Sequence, residues 1–168
     1  MFFRRHRTPP AATKACARLA ACATLDELVA TISATARAVT GADGITVVQR
    51  DHSEVHYLTE DAIAPLWTGQ SFPLRMCVTG QAMLSAQPIV IPDIMRDNRV
   101  PLNAYLGTFV RRLVIVPIGT DAPQLAMGAY WRAPQPIAAD TLVLLGDLAA
   151  SAADALASID ASGAKHAA

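Results

Sequence analysis

Apolar or small residues recur three or four positions apart at Leu19, Cys22, Leu25, Leu28, Val29, Ile32, Ala36 and Val39. This is the spacing of a buried stripe on one long helix or on two abutting ones. Thr24 followed by Glu27 matches a capping box, so a helix restart is expected at Thr24. Gly41 accepts the left-handed backbone that ends a helix. The period then changes. Residues 44–50, GITVVQR, are rich in β-branched side chains, and a turn at 51–53 leads into 54–58, which predicts an antiparallel hairpin. Residues 67–74 carry at most an edge strand, because Pro73 cannot donate to a central ladder.

Residues 77–119 are too long a connection to be a simple turn and stay apolar throughout. They read as a helix over 78–85 with Val78, Ala82 and Met83 inward, then a short strand over 89–91. Pro92 and Asp93 stop that strand, and Asp93 can cap the next turn. Turn-forming Asp97 and Asn98 and a helical turn from Pro101 to Tyr105 precede a strand over 109–118, which pairs with 125–131. A proline-marked connector at 133–137 leads to a terminal helix over 141–159, with Leu142, Leu145, Leu148 or Ala149, Ala152 and Leu156 on its apolar side. Beyond Ser162 the periodicity ends. The expected domain covers 13–160, with flexible tails at 1–12 and 161–168. Its class is α+β: a central antiparallel sheet of five or six strands, terminal helices on one face and the 75–110 excursion on the other. A pocket is expected between excursion and sheet.

The chain has 168 residues, 52% hydrophobic and 17% charged, which fits one domain with a real core. Net charge is zero, but Arg4, Arg5, Arg7, Lys14 and Arg18 stand at the front without an acid among them, leaving the body mildly acidic. That removes the broad positive face a nucleic-acid binder needs. Cys16, Cys22 and Cys77 form neither a disulfide framework nor a metal-ligand spacing. No signal-peptide core and no continuous apolar run of membrane length is found, so a cytoplasmic location without membrane insertion is expected.

Among chemically capable residues, Cys77 opens a helix, where free amides favour a thiolate, although a buried free cysteine is ordinarily a small hydrophobe. His52 and His56 are separated by a hairpin turn and are expected to be solvated. Arg111 and Arg112 lie on a strand and point to opposite faces, so at most one enters the pocket, where it would read an anion. The alternative is ion pairing with Asp93 or Asp97 that fastens the excursion, with Arg99 in the same role. Trp67, Phe72, Tyr105, Phe109, Tyr130 and Trp131 are candidate aromatic walls, with Tyr130 and Trp131 on opposite faces. The candidate ligand-binding set is therefore Cys77, Asp93, Arg99, Tyr105, Phe109, Arg111, Arg112 and Tyr130, with no metal ligand. No nucleophile elbow, phosphate loop, HExxH helix or CxxC pair is present, and no catalytic residue is assigned.

Gly80, Pro88, Ile91, Asp93, the DNR turn at 97–99, Tyr105, the VRRLVIVPIG strand at 110–119 and Gly128 resemble the GAF domain family, over residues of about 24–160 and most like the type beside sensor histidine kinases. The resemblance implies a sensory or regulatory module that holds a small polar or anionic molecule, forms a homodimer through its terminal helices and works with a separate kinase or output protein. It does not identify a cofactor. Two other readings stand beside it: a protein-interaction module with a collapsed pocket, and a Cys77-dependent redox protein. The related free-methionine-sulfoxide reductases gather cysteines around a pocket, whereas only Cys77 lies near the excursion here.

Overall fold

The computed structural model describes residues 9–166. The basic cluster at Arg4, Arg5 and Arg7 lies outside them. The first helix, α1, spans Pro10–Ala20. Pro10 starts this helix rather than delaying it, because a proline at the first helical position lacks an N–H that would be unpaired there anyway. Ala12, assigned to a flexible tail by the sequence reading, is buried. The second helix, α2 (Leu25–Thr40), is capped by Thr24, whose hydroxyl accepts from the Glu27 amide, and Gly41 ends it in the left-handed conformation at φ 65°. The Glu27 carboxylate reaches back to the Ala23 amide, one residue before the cap.

Strands β1 (Gly44–Asp51) and β2 (Glu54–Ala62) form the expected hairpin. Its register slips between Val47 and Val48, which face Thr59 and Tyr57 and leave Leu58 as the extra residue. Such a bulge reverses the odd-even alternation beyond it. Tyr57 and Glu60, three residues apart, consequently share one face, because they pair with Val48 and Thr46.

Strand β3 (Ser71–Pro73) is the predicted edge, followed by a 3₁₀ turn, Leu74–Met76, and α3 (Val78–Ser85). Strand β4 is Ile89–Ile91, and two further 3₁₀ turns, Ile94–Arg96 and Leu102–Ala104, lie in the excursion. Strand β5 (Arg112–Ile118) begins three residues later than predicted, because the Thr108 hydroxyl accepts from the Val110 amide and donates to the Tyr105 carbonyl, holding that stretch in a turn. Strand β6 is Leu125–Trp131, and α4 runs over Ala139–His166. The helix continues past the predicted boundary to His166, beyond Ile159, the last of its residues that packs against the helical core.

The sheet order is β3-β2-β1-β6-β5-β4, antiparallel throughout. Helices α1, α2 and α4 cover one face around a core that includes Leu19, Leu28, Ile32, Ile45, Val47, Met127 and Leu148. The excursion covers the other face around Tyr57, Trp67, Val78, Met83, Ile91, Leu113, Ile115 and Tyr130. By length and composition α4 is apolar enough to cross a membrane. In the fold it docks Leu145, Leu148, Ala149, Ala152 and Ala155 on the sheet.

Candidate functional site

On the excursion side a cleft of about 210 Å³ opens between β2, β3, the start of α3 and the 101–105 turn. Its position follows from one carboxylate. Glu60 accepts hydrogen bonds from the amides of Leu66, Trp67 and Thr68, fastening the loop after β2. The Trp67 indole N–H then donates to the Ala104 carbonyl at 3.1 Å, tying that loop to the far wall. Around Trp67 the rings meet edge to face, with Tyr105 at 5.0 Å, Tyr57 at 5.4 Å and Tyr130 at 5.5 Å between centroids. Phe72 extends the set from Tyr57.

The phenols and the thiol at this site stay uncharged. Burial pushes the phenols of Tyr57 and Tyr105 well above their ordinary value and that of Tyr130 up to about 12. The Tyr57 hydroxyl bonds Thr79 and the Tyr130 hydroxyl bonds Thr46, both at 3.2 Å. Burial also raises the Cys77 thiol, an effect only partly opposed by the Gly80 and Thr79 amides. Its sulfur is the N-cap of α3, accepting from the Gly80 amide at 3.3 Å. Cys77 is therefore a capping residue with a protonated thiol rather than an activated nucleophile. Cys16 and Cys22 pack with the helical core on the opposite face of the sheet, so no pairing with Cys77 is possible without unfolding.

Of the candidate ligand-binding set, Cys77 and Tyr105 line the cleft, joined by Trp67 and Phe72 from the candidate aromatic walls. Tyr130 is fully buried behind Trp67. Phe109 packs beside Gly44, away from the lining. Asp93 caps the 94–96 turn and sits 3.7 Å from Arg96 and 3.9 Å from Arg111. Arg99 binds Asp97 through Nε at 2.9 Å and donates to the Val90 carbonyl at 3.2 Å. These residues brace the excursion from outside. Arg112 shares its face with Val114, Val116 and Ile118, under the helices, where its guanidinium stacks on Trp131 at 4.9 Å and donates to the Ala133 carbonyl. Neither Arg111 nor Arg112 lines the cleft, because Arg111 precedes the strand and turns to Asp93 while Arg112 is on the wrong side of the sheet. Among the described residues, none that lines the cleft carries a charge.

Tyr57, Glu60, Met76 and Asn103 were not among the residues singled out from sequence. Alternation of Val55 and Tyr57 in β2 signals the first, but Glu60 reaches the same face only through the bulge. A second constellation, Ser71, His56 and Asp51, lies on the outer surface of the hairpin. Its His56 Nε2 is 3.6 Å from Asp51 Oδ2, too long for the hydrogen bond that orients a catalytic base.

Three solved structures locate this architecture among known proteins. Free methionine-R-sulfoxide reductase from Neisseria meningitidis, in complex with its substrate, matches with TM-score 0.78 at 15% identity over 90% of this chain and 89% of that one. The GAF domain of a phosphoenolpyruvate-protein phosphotransferase from Coxiella burnetii matches with TM-score 0.78 at 16% identity, over 92% and 95% of the two chains. The chromophore-binding domain of a bacteriophytochrome from R. palustris matches with TM-score 0.74 at 16% identity, over 91% of this chain and 61% of that one. None of the curated proteins matches. At the level of sequence, the GAF domain model aligns with residues 22–157. A match over most of the chain, joined to a six-stranded sheet with helices on one face and a cleft under the excursion on the other, makes this chain a member of the GAF domain family.

Proposed function

We propose that the chain is a sensory or regulatory domain that takes a small molecule into the cleft between β2, β3 and the 101–105 turn. The observation that carries this reading is an open, aromatic-walled space of about 210 Å³ on the face where packing would otherwise be complete. The rings of Tyr57, Trp67, Phe72 and Tyr105 border this opening, and a guest seated there would remove their apolar surface from water, which favours occupation. Similarity to domains of phosphotransferases, bacteriophytochromes and chemotaxis proteins supports a signalling setting. The ligand would bridge β2 and the excursion, favouring one packing of the excursion over another, and only such differential contact can transmit its presence. The output passes to a separate protein, and the terminal helices supply a homodimer seam in the cytoplasm. A redox role draws no support from a protonated Cys77 without a partner cysteine.

The test is a thermal-shift screen of small metabolites on the wild type and on Ala104→Trp, whose indole would fill the cleft. Compounds that raise the melting temperature of the wild type should leave the folded variant unmoved. Equal shifts in both proteins would place the binding elsewhere and defeat the reading.

A further inference from the structure

Resting on the cleft as the ligand site, we infer that its ligand is an uncharged, single-ring aromatic molecule whose hydrogen-bond acceptor receives the hydroxyl proton of Tyr105. Tyr105 is only 4% exposed. A buried tyrosine hydroxyl ordinarily finds a partner, and those of Tyr57 and Tyr130 do so in Thr79 and Thr46. The Tyr105 hydroxyl has none among the described residues: its ring is held by Trp67, and its hydrogen bonds are made by its backbone. Among those residues the one fully enclosed side-chain polar atom lacking a partner is Nε of Arg112. The Tyr105 hydroxyl therefore meets open space, and the space Tyr105 borders is the cleft. Burial keeps this phenol protonated, so it is a donor.

The walls select the rest of the ligand. Tyr57, Trp67 and Phe72 stand at interplanar angles of 60° and 83°, so a planar guest can meet one ring by its face and another by its edge. An anion would lose its hydration with no cation in the lining to compensate. A quaternary ammonium ion would draw on ring faces but offers the phenol no acceptor, and no carboxylate borders the cleft to balance its charge. Size points the same way. The cleft lies between the roughly 150 Å³ of a cavity that accepts benzene and the roughly 300 Å³ at which ordinary ligand pockets begin, which favours one ring with a small substituent.

Four probes of similar shape separate the alternatives: benzamide, toluene, benzoate and phenyltrimethylammonium, titrated by ligand-observed NMR against wild type, Tyr105→Phe and Ala104→Trp. Benzamide should bind the wild type most tightly, and Ala104→Trp should abolish its binding. Tyr105→Phe should weaken benzamide about 3- to 10-fold, the effect of one hydrogen bond, while leaving toluene unchanged. Tighter binding of benzoate or phenyltrimethylammonium to the wild type would overturn the inference without any variant, as would an equal loss for all four probes in Tyr105→Phe. If none of the four binds although the metabolite screen yields compounds blocked by Ala104→Trp, the site stands and the ligand class falls. If no compound at all is sensitive to Ala104→Trp, the site falls and takes the ligand class with it.

Discussion

Glu60 accepts from three consecutive amides at 2.8, 2.9 and 3.0 Å, so the loop bearing Trp67 is held by charge-assisted hydrogen bonds rather than by strand pairing. Burial alone would raise its carboxyl, but the amides of Leu66, Thr68 and Trp67, with the Thr68 hydroxyl, outweigh that and hold it below the ordinary carboxylate range. A folded value lower than the unfolded one means a contribution fully present above the unfolded pKa of about 4.3 and lost as pH falls through the folded value. Glu60→Gln should therefore cost about 1 to 2 kcal/mol at pH 7, and the gap from wild type should narrow as urea denaturation is repeated toward pH 3. A gap that stays constant over that range would show that the charge plays no part. Glu60 is not legible in the sequence because a residue three positions from Tyr57 belongs to the opposite face of a regular strand, and nothing in VHYLTED announces the bulge. The arginines failed to reach the cleft for a related reason. Strands covered on both faces carry no polar side to set their phase, so Leu113 and Ile115 look no different from Val114 and Val116, and alternation alone separates Arg111 from Arg112 without saying which face is which.

Elements bounded by residues with strong local preferences were legible, whereas those set by packing or its absence were not. Helix α3, strand β4 and strand β6 match their predicted limits because Gln87-Pro88, Pro92-Asp93 and the 121–124 turn punctuate the chain. Helix α4 overran its predicted end because loss of apolar periodicity marks the end of docking, whereas the backbone hydrogen bonds of a helix already formed can carry it a turn or two further. Gly80, in α3, shows packing overruling propensity. On an exposed helix a Gly-to-Ala change would gain roughly 0.5 to 1 kcal/mol. Here a Cβ would stand 1.7 Å from the Leu74 carbonyl oxygen, which is backbone and cannot swing away. The change should reverse sign and cost about 3 kcal/mol or more, since α3 must leave the 74–76 turn. That displacement would break the Cys77 cap, so Gly80→Ala should both lower the melting temperature and speed thiol labelling of Cys77, which is 7% exposed in the native fold. A stable variant with unchanged labelling would mean that the turn relaxes around the added methyl.

The sheet divides the molecule into two cores, and the division determines what each side can sense. The proposed ligand contacts fall on the face of Tyr57 and Tyr105, whereas helices α1, α2 and α4 pack on the other, so communication between them would pass through the strands themselves. Arg112 probes this separation. It is 8% exposed, its Nε has no partner, and burial lowers its pKa against only a modest opposing pull from Asp43. A buried guanidinium without an ion pair adds little net stability, because desolvation offsets what its hydrogen bonds to the Ala133 carbonyl and the Gln135 amide oxygen and its stacking on Trp131 supply. Methionine follows the arginine side chain as far as its Nε and makes favourable contact with aromatic rings, so Arg112→Met should change unfolding free energy by no more than about 1 kcal/mol. Arg112→Ala, which leaves the Trp131 ring uncovered, should cost more, about 2 kcal/mol. Because the side chain lies across the sheet from the cleft, ligands identified by their sensitivity to Ala104→Trp should bind Arg112→Met with wild-type affinity. If titration instead showed their affinity falling tenfold while urea denaturation showed the fold intact, the two faces would be coupled through β5, and Arg112 would be a regulatory contact rather than a packing one.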